Sequence, residues 1–349
     1  MRLGLIGCGG AGSLRAEAMA GAPGLHLVAV ADLDCGRAGA LARRTGAAIE
    51  SGAGLLKRPD IEAVIVATPP DSHASVAMAA LAAGKHVLCE KPLARSPAEC
   101  RLILAAAERA GRFLATGFNY RFYPAVAKAR TILASGVIGA LDHIRSYAGH
   151  PGGREFTRPW VHDVGVMGGG ALLDNGIHLI DLTRHFLGEV SEVKAYTTSN
   201  VWAFPGCEDN GFALLKSPVG RVATLHASWS EWRGYRFRIE IYGTRGSVRA
   251  SYPPMLADAV WLDAGGRRRR RVHLFPALQV FERLRSHRWT GRRSLRAETL
   301  AFARAAAGEK TDLALGLDGL RAVEIAHAAY RASREGAAIR LDGQGPTGE

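Results

Sequence analysis

Three side chains in this sequence have the types and settings that acid–base chemistry needs. Asp174 and His178 stand four residues apart in Gly168-Gly-Gly-Ala-Leu-Leu-Asp-Asn-Gly-Ile-His178, and Asp181 and His185 continue the stripe. On a helix such positions share a face, so carboxylate and imidazole become neighbours. Three uses of the pair compete. Ligands at i and i+4 could hold a metal, but no thiolate and no third clustered histidine completes a set, so no metal is expected. Polar packing accounts for Asp181, Arg184 and His185. Acid–base work suits Asp174 and His178 best, because oxidising an alcohol removes a hydroxyl proton as hydride leaves carbon, and histidine titrates in the useful range. Lys91 is the third side chain. It sits in Cys89-Glu-Lys-Pro-Leu93 at the end of an apolar run, the edge of an open α/β sheet where ligands bind.

A second constellation lies at the start of the chain. Leu3-Gly-Leu-Ile-Gly-Cys-Gly-Gly-Ala-Gly12 puts Gly7, Gly9 and Gly12 in G-x-G-x-x-G register after an apolar run, with Gly10 and Ala11 opening the next segment. That spacing serves a tight turn, a close backbone approach to a pyrophosphate and close helix–strand packing, with the anion on a helix N-terminus. The next apolar run, Leu27-Val-Ala-Val-Ala31, ends at Asp32, where a carboxylate receives ribose hydroxyls. A carboxylate there repels a 2′-phosphate, which favours NAD; Arg37, close by in sequence, keeps NADP open.

These residues need elements to hold them. Short apolar runs at Leu3–Ile6, Leu27–Ala31, Ala63–Ala67, His86–Cys89 and Phe113–Thr116 alternate with helical patterns near 11–22, 36–45, 72–83 and 97–110. Continuously apolar runs are strands buried on both faces, so residues 1–120 read as a doubly wound α/β domain with a parallel sheet. Beyond it come a helix near 124–135, a strand at 142–148, a helix from about 170 to 186, and successive strands at 192–198, 212–216, 222–230 and 236–242. Strands in succession predict a mainly antiparallel open sheet in an α+β domain over 121–349, closed by helices near 294–307 and 316–334.

The chain has 349 residues, 48% hydrophobic and 22% charged, which describes an ordinary folded protein of two domains and excludes wholesale disorder. Its formal net charge is +13, an invitation to consider nucleic acid. The charge is local, however: residues 265–296 hold eleven arginines against one acid, Glu282, a net of +10. That segment reads as a solvated loop, or as the border of a ligand cleft or oligomer interface. Five cysteines, an odd number with no C-x-x-C pair, fit a reduced compartment. No apolar run is long enough for a membrane span, and a cytoplasmic protein is expected.

Taken together, the glycine loop, Ala67-Thr-Pro-Pro-Asp-Ser-His73, Gly84-Lys-His-Val-Leu-Cys-Glu-Lys-Pro92, Gly117-Phe-Asn-Tyr-Arg-Phe-Tyr-Pro124 and the 168–188 segment resemble the Gfo/Idh/MocA oxidoreductase family, which includes inositol dehydrogenases and glucose–fructose oxidoreductase. The resemblance implies a Rossmann domain followed by a substrate-binding and oligomerisation domain, in a homodimer or homotetramer. It implies a catalytic group of Lys91, Asp174 and His178, with His178 as proton acceptor and the other two orienting and polarising the reacting hydroxyl. Thr68 and Pro69 would flank the nicotinamide ribose, His73 and Glu90 would belong to the cofactor site, Lys91–Pro92 would be a cis peptide, and Arg121 and Tyr123 would lie near the substrate. Asn175 departs from the family pattern and bears on substrate choice.

The segment Gly152-Gly-Arg-Glu-Phe-Thr-Arg-Pro-Trp160-Val-His162 precedes the acid–base stretch. Trp160 offers a face for a sugar ring, His162 lies beside it, and Arg154 or Arg158 could bind a carboxylate or phosphate. The expectation is hydride transfer between NAD(P) and a sugar, sugar derivative or cyclitol, with neither nucleic acid nor membrane as partner. Two rivals stay in view: an NAD-dependent glycosidase working by transient C3 oxidation and elimination, and a non-catalytic nucleotide-sensing or nucleic-acid-binding protein.

Overall fold

The computed structural model describes residues 1–152, 159–285 and 288–341. It divides into two compact units, Met1–Phe122 with Val280–Val323, and Tyr123–Gln279 with Glu324–Glu349.

The first unit is built on six strands, β1 (Arg2–Ile6), β2 (His26–Ala31), β3 (Ala48–Ile49), β4 (Ala63–Val66), β5 (His86–Glu90) and β6 (Leu114–Gly117). All pair in parallel, in the order β3-β2-β1-β4-β5-β6. The order reverses at β1, so the loops leaving β1 and β4 flank the crevice where doubly wound sheets take their ligands. Every residue of β4 is buried, as its unbroken Ala-Val-Ile-Val demands. The connecting helices are α1 (Gly10–Met19), α2 (Cys35–Thr45), α3 (Gly52–Lys57), α4 (Pro70–Ala82) and α5 (Pro97–Ala110). Asp34 caps α2 by accepting the Arg37 N–H, and Ser96 caps α5 by accepting the Glu99 N–H.

The second unit opens with α6 (Pro124–Ala134) and β7 (Leu141–Gly149). A short helix α7 (Val164–Met167) precedes a π-helical turn at Leu172–Gly176, which runs straight into α8 (Ile177–Leu187). The remaining strands are β8 (Glu192–Thr198), β9 (Asn210–Lys216), β10 (Val222–Ser228), β11 (Arg236–Gly243), β12 (Gly246–Tyr252), β13 (Leu256–Leu262), β14 (Arg268–Leu274) and β15 (Ile339–Arg340). They form one nine-stranded sheet, β14-β13-β12-β11-β7-β10-β9-β8-β15, antiparallel except for β7 against β10. Along β9 Gly211, Ala213 and Leu215 are buried while Phe212 and Leu214 are exposed, the alternation of a sheet covered on one face. Helix α8 packs on β7 and β10, and α6 on β12 and β13.

Three expectations are corrected. The helix read over 170–186 begins with the π turn, so Asp174 lies in a widened turn and His178 in the α-helix after it. The arginine run is not a loop: Arg268–Leu274 is the edge strand β14, where Arg270 pairs with Asp258 on β13 and Arg269 with Asp263. Charge on the outermost strand also blunts its unpaired backbone edge. Nor does everything after residue 120 form one body. Helices α9 (Pro276–Arg285), α10 (Arg288–Ala306) and α11 (Gly316–Glu335) close the chain, and α10 packs along α1 within the first unit, where Phe302 joins Leu3, Leu5 and Leu88 in the core.

Candidate active site

In the first unit the loop after β1 has the three properties that a pyrophosphate cradle requires. Gly7 turns at φ +97°, a conformation that side chains rarely adopt. A Cβ on Gly12 would stand 1.8 Å from the Gly7 carbonyl oxygen, so only glycine lets α1 sit this close to the strand. A Cβ on Gly9 would meet nothing within 4 Å: the protein leaves that space open. Helix α1 starts beside it at Gly10 and Ala11 with no side-chain cap and no acid in its first turn, so its N–H groups and positive dipole end are available to an anion. The residues present therefore fit a dinucleotide.

Asp32 ends β2 as predicted and is anchored there. Its Oδ2 accepts the Cys8 N–H at 2.6 Å, and its Oδ1 accepts the Asp34 N–H at 2.8 Å. Arg37 is turned to Asp34, with Nε 3.2 Å from Oδ2, and both side chains are solvated. Thr68 accepts the Ser72 hydroxyl at 2.8 Å, next to Pro69 at the start of α4.

His73 is buried between carbonyls, with Nδ1 2.8 Å from Pro92 O and Nε2 2.8 Å from Thr68 O. Both ring nitrogens face carbonyl oxygens, and the one that carries the proton donates to its neighbour, so the ring sits between the two loops that carry Thr68 and Lys91. Burial lowers its pKa, against the pull of the two carbonyls. Glu90 is held by a group that the sequence does not announce. Its Oε1 accepts the Nε–H of Arg15 at 2.6 Å, and Arg15 Nη1 lies 2.6 Å from Glu298 of α10, with the guanidinium fully buried. Glu90 Oε2 accepts the Lys91 N–H at 3.3 Å, which ties this trio to the backbone of the candidate lysine. Lys91–Pro92 is cis, as the resemblance implied. Arg121 is buried beside Asp318 and the Asp312 carbonyl.

In the second unit β7 and β10 run parallel and deliver their next residues to Asp174. His150, directly after β7, has Nε2 3.1 Å from Asp174 Oδ2; Trp229, directly after β10, donates its Nε1–H to the same oxygen at 3.0 Å. The Gly152 N–H donates to His150 Nδ1 at 3.2 Å. An Nδ1 that accepts carries no proton, so the neutral ring holds its hydrogen on Nε2 and donates it to Asp174. Asp174 thus meets two fixed donors.

Asn175 clips the same two strands, its Nδ2 donating to Ala148 O at 3.1 Å and Ser228 O at 3.3 Å, while its buried Oδ1 has no hydrogen-bond partner among the described residues. His178 is 5% exposed, one residue into α8. Asp181 is fully buried, and Arg184 pairs with Glu189.

His162 stacks on Phe204 with ring centres 4.1 Å apart, and Trp160 is half-buried in the same short 3-10 turn, Pro159–His162. Tyr123 packs edge-on to Phe237 and Tyr252. Arg154 and Arg158 lie outside the described residues. Sequence reasoning misses His150, Trp229, Arg15 and Glu298. No local signal marks them: Trp229 falls inside the run read as a strand over 222–230, and His150, Arg15 and Glu298 meet their partners far away in the sequence. Among the described residues no group of three or more His, Cys, Asp or Glu could hold a metal, and no helix is long and apolar enough to cross a membrane.

Known proteins share this architecture. A family model described as the oxidoreductase family with an NAD-binding Rossmann fold matches residues 1–118, and one described as the GFO/IDH/MocA C-terminal domain matches residues 126–249. An inositol 2-dehydrogenase from Rubrobacter xylanophilus is 34% identical over 72% of this chain and 71% of its own. A solved structure of a putative myo-inositol dehydrogenase from Sinorhizobium meliloti superposes with a TM-score of 0.82 at 29% identity, covering 98% of this chain and 99% of that one. A levoglucosan dehydrogenase in complex with NADH and L-sorbose superposes with a TM-score of 0.87 at 26% identity, covering 98% of each chain.

Proposed function

The chain belongs to the GFO/IDH/MocA oxidoreductase family, and on that premise we propose that it transfers a hydride between NAD and a secondary alcohol or ketone of a sugar, sugar derivative or cyclitol. The observation that carries the reading is that one chain holds both an open glycine cradle at Gly9 and, in its other unit, an anchored Asp174 four residues before His178. The relatives named for inositol and levoglucosan support this class of substrate.

Gly7, Gly9, Gly10, Ala11 and Gly12 would hold the pyrophosphate, and Asp32 the ribose hydroxyls. Because the Asp32 carboxylate is fixed by two backbone N–H groups and Arg37 faces Asp34, the site favours a free 2′-hydroxyl over a 2′-phosphate. Bound there, the nicotinamide supplies the hydride acceptor. The chain's own residues handle the proton. His178 takes it from the reacting hydroxyl, while Lys91 and Asp174 orient and polarise that hydroxyl. His150 and Trp229 keep Asp174 in one rotamer. Trp160 and His162 line the sugar, and Asn175 Oδ1 accepts from a bound hydroxyl or a buried water. We place self-association, as a homodimer or homotetramer in the cytoplasm, on the exposed sheet face bearing Tyr196, Phe212 and Leu214.

The test is turnover of NAD against a panel of cyclitols and sugars, with myo-inositol and levoglucosan included. Stoichiometric NADH is expected. Lys91→Met and His178→Ala should each lose most of it while still binding NAD. Product without NADH would indicate oxidation followed by re-reduction, and full turnover in either variant would remove that residue from the catalytic group.

A further inference from the structure

The turn that carries Asp174 is gripped by a segment to which no role has been given. Glu208 lies two residues before β9 and is almost wholly buried. Its Oε2 accepts the Gly170 N–H at 2.8 Å, and its Oε1 accepts the Leu172 N–H at 2.6 Å and the Tyr330 hydroxyl at 3.1 Å. Its carbonyl oxygen accepts the Ala171 N–H at 3.0 Å, and the Cys207 thiol donates to Gly169 O at 3.4 Å. The N–H groups at the start of a helix have no partner within it and need an acceptor from elsewhere. Here one carboxylate serves two of them, from 36 and 38 residues away.

The fit leaves no slack. A Cβ on Gly170 would stand 2.2 Å from the Glu208 carbonyl oxygen, and one on Gly169 would stand 2.2 Å from the Tyr330 hydroxyl. The glycines before Asp174 are thus the space into which Glu208 and Tyr330 close. π turns are uncommon and hold only where their surroundings fix them. This one is fixed on its far side by Asn175 and on its near side by Glu208.

We propose that Glu208 is a positioning residue for the reaction, its carboxylate fixing the π turn that presents Asp174. The proposal rests on the assignment of Asp174 to the catalytic group. Among the described residues, titratable groups face Glu208 from two elements. Tyr330 comes from α11, with the His327 ring 6.0 Å from its own. Cys207 adjoins on the same segment, with Asp163 beyond it, and the turn itself contributes backbone donors. Burial pushes the Glu208 carboxyl up to about 7, against the pull of its hydrogen-bond donors. Its charge therefore changes near neutral pH. Ionised, it accepts both N–H groups fully; protonated, it gives up part of one oxygen's acceptor capacity, and the turn is held less firmly.

Three variants of the full chain test this. Glu208→Gln keeps the shape but sets an amide NH2 against a backbone donor. It should fold, bind NAD as the parent does and lose kcat by about tenfold to a hundredfold, the range expected when a reacting group is misplaced. Tyr330→Phe removes one donor to the carboxylate, so the acid limb of the kcat–pH profile should move to higher pH with the plateau kept. Infrared difference spectra should show a buried carboxylic acid below neutral pH in the parent and its loss in Glu208→Gln. An unchanged kcat in folded Glu208→Gln, or an acid limb in Tyr330→Phe that coincides with the parent's, overturns the proposal; if Glu208→Gln does not fold, Tyr330→Phe and the parent's infrared band decide. Asp174→Asn separates the two readings. Full turnover there overturns the site assignment itself, whereas a dead Asp174→Asn beside unaffected Glu208 and Tyr330 variants overturns only the role of Glu208.

Discussion

Gly9 and Gly12 are the same residue for opposite reasons, and the difference is measurable. At Gly12 a methyl group collides with the Gly7 carbonyl oxygen at 1.8 Å, a clash with backbone that no side chain can relieve. Gly12→Ala should therefore lower the melting temperature. At Gly9 the same methyl enters open space. Gly9→Ala should melt with the parent protein yet bind NAD at least about tenfold more weakly, a loss of roughly 1.4 kcal/mol, because the methyl occupies the phosphate's approach. Calorimetric melts and NAD titrations of the two variants check this, and equal losses of stability would show that Gly9 also serves packing. Both glycines are legible in the sequence because the G-x-G-x-x-G spacing that places them lies within one short loop. His150 and Trp229 are not: they meet Asp174 from 24 and 55 residues away, and no local pattern records that.

Between elements, the buried Arg15 guanidinium joins α1, the end of β5 and α10 through Glu90 and Glu298. Removing one partner of a buried ionic group costs about 3–5 kcal/mol, since the remaining charges stay buried without compensation. Arg15→Met leaves two carboxylates together, a cost that protons relieve. Its loss of stability should be smaller at pH 5 than at pH 8, read from denaturant melts at both; a deficit that does not grow with pH would show that the carboxylates are screened some other way. The strand that Arg15 braces was readable, with His86–Cys89 read and His86–Glu90 found. Buried parallel strands declare themselves by unbroken apolar runs. Strand β14 does not, because its pairing with β13 rests on Arg269 and Arg270 finding Asp263 and Asp258 across a turn, a pattern that reads as solvated charge. The π turn is hidden for a related reason: it is held by contacts that Gly170, Leu172 and Asn175 make with Glu208, Ala148 and Ser228, all distant in the sequence.

For the molecule as a whole, the net charge of +13 reduces to an arginine-loaded sheet edge and the helices after it, partly matched by nearby acids. The division into units carries the larger consequence. Met1–Phe122 holds every strand of the parallel sheet, but it lacks α10, whose Phe302 and Glu298 complete its core and its ion cluster. A fragment ending at Phe122 should stay poorly folded and bind NAD weakly, and joining Val280–Val323 to it through a flexible linker should restore both. Circular dichroism and NAD titration read the outcome; a stable, NAD-binding short fragment would show that α10 is dispensable.

On the ribosome, the same feature sets an order of events. The strands of the parallel sheet cannot be finished until Glu298 emerges, and at about 5–20 residues per second the chain between Phe122 and Glu298 takes on the order of ten to thirty seconds to make. During that interval Arg15 has only one of its two carboxylates and the nascent sheet lacks its last covering helix. The parallel sheet is thus completed only after the second unit's strands have been made, and it is in that window that chaperones and proteases have their opportunity.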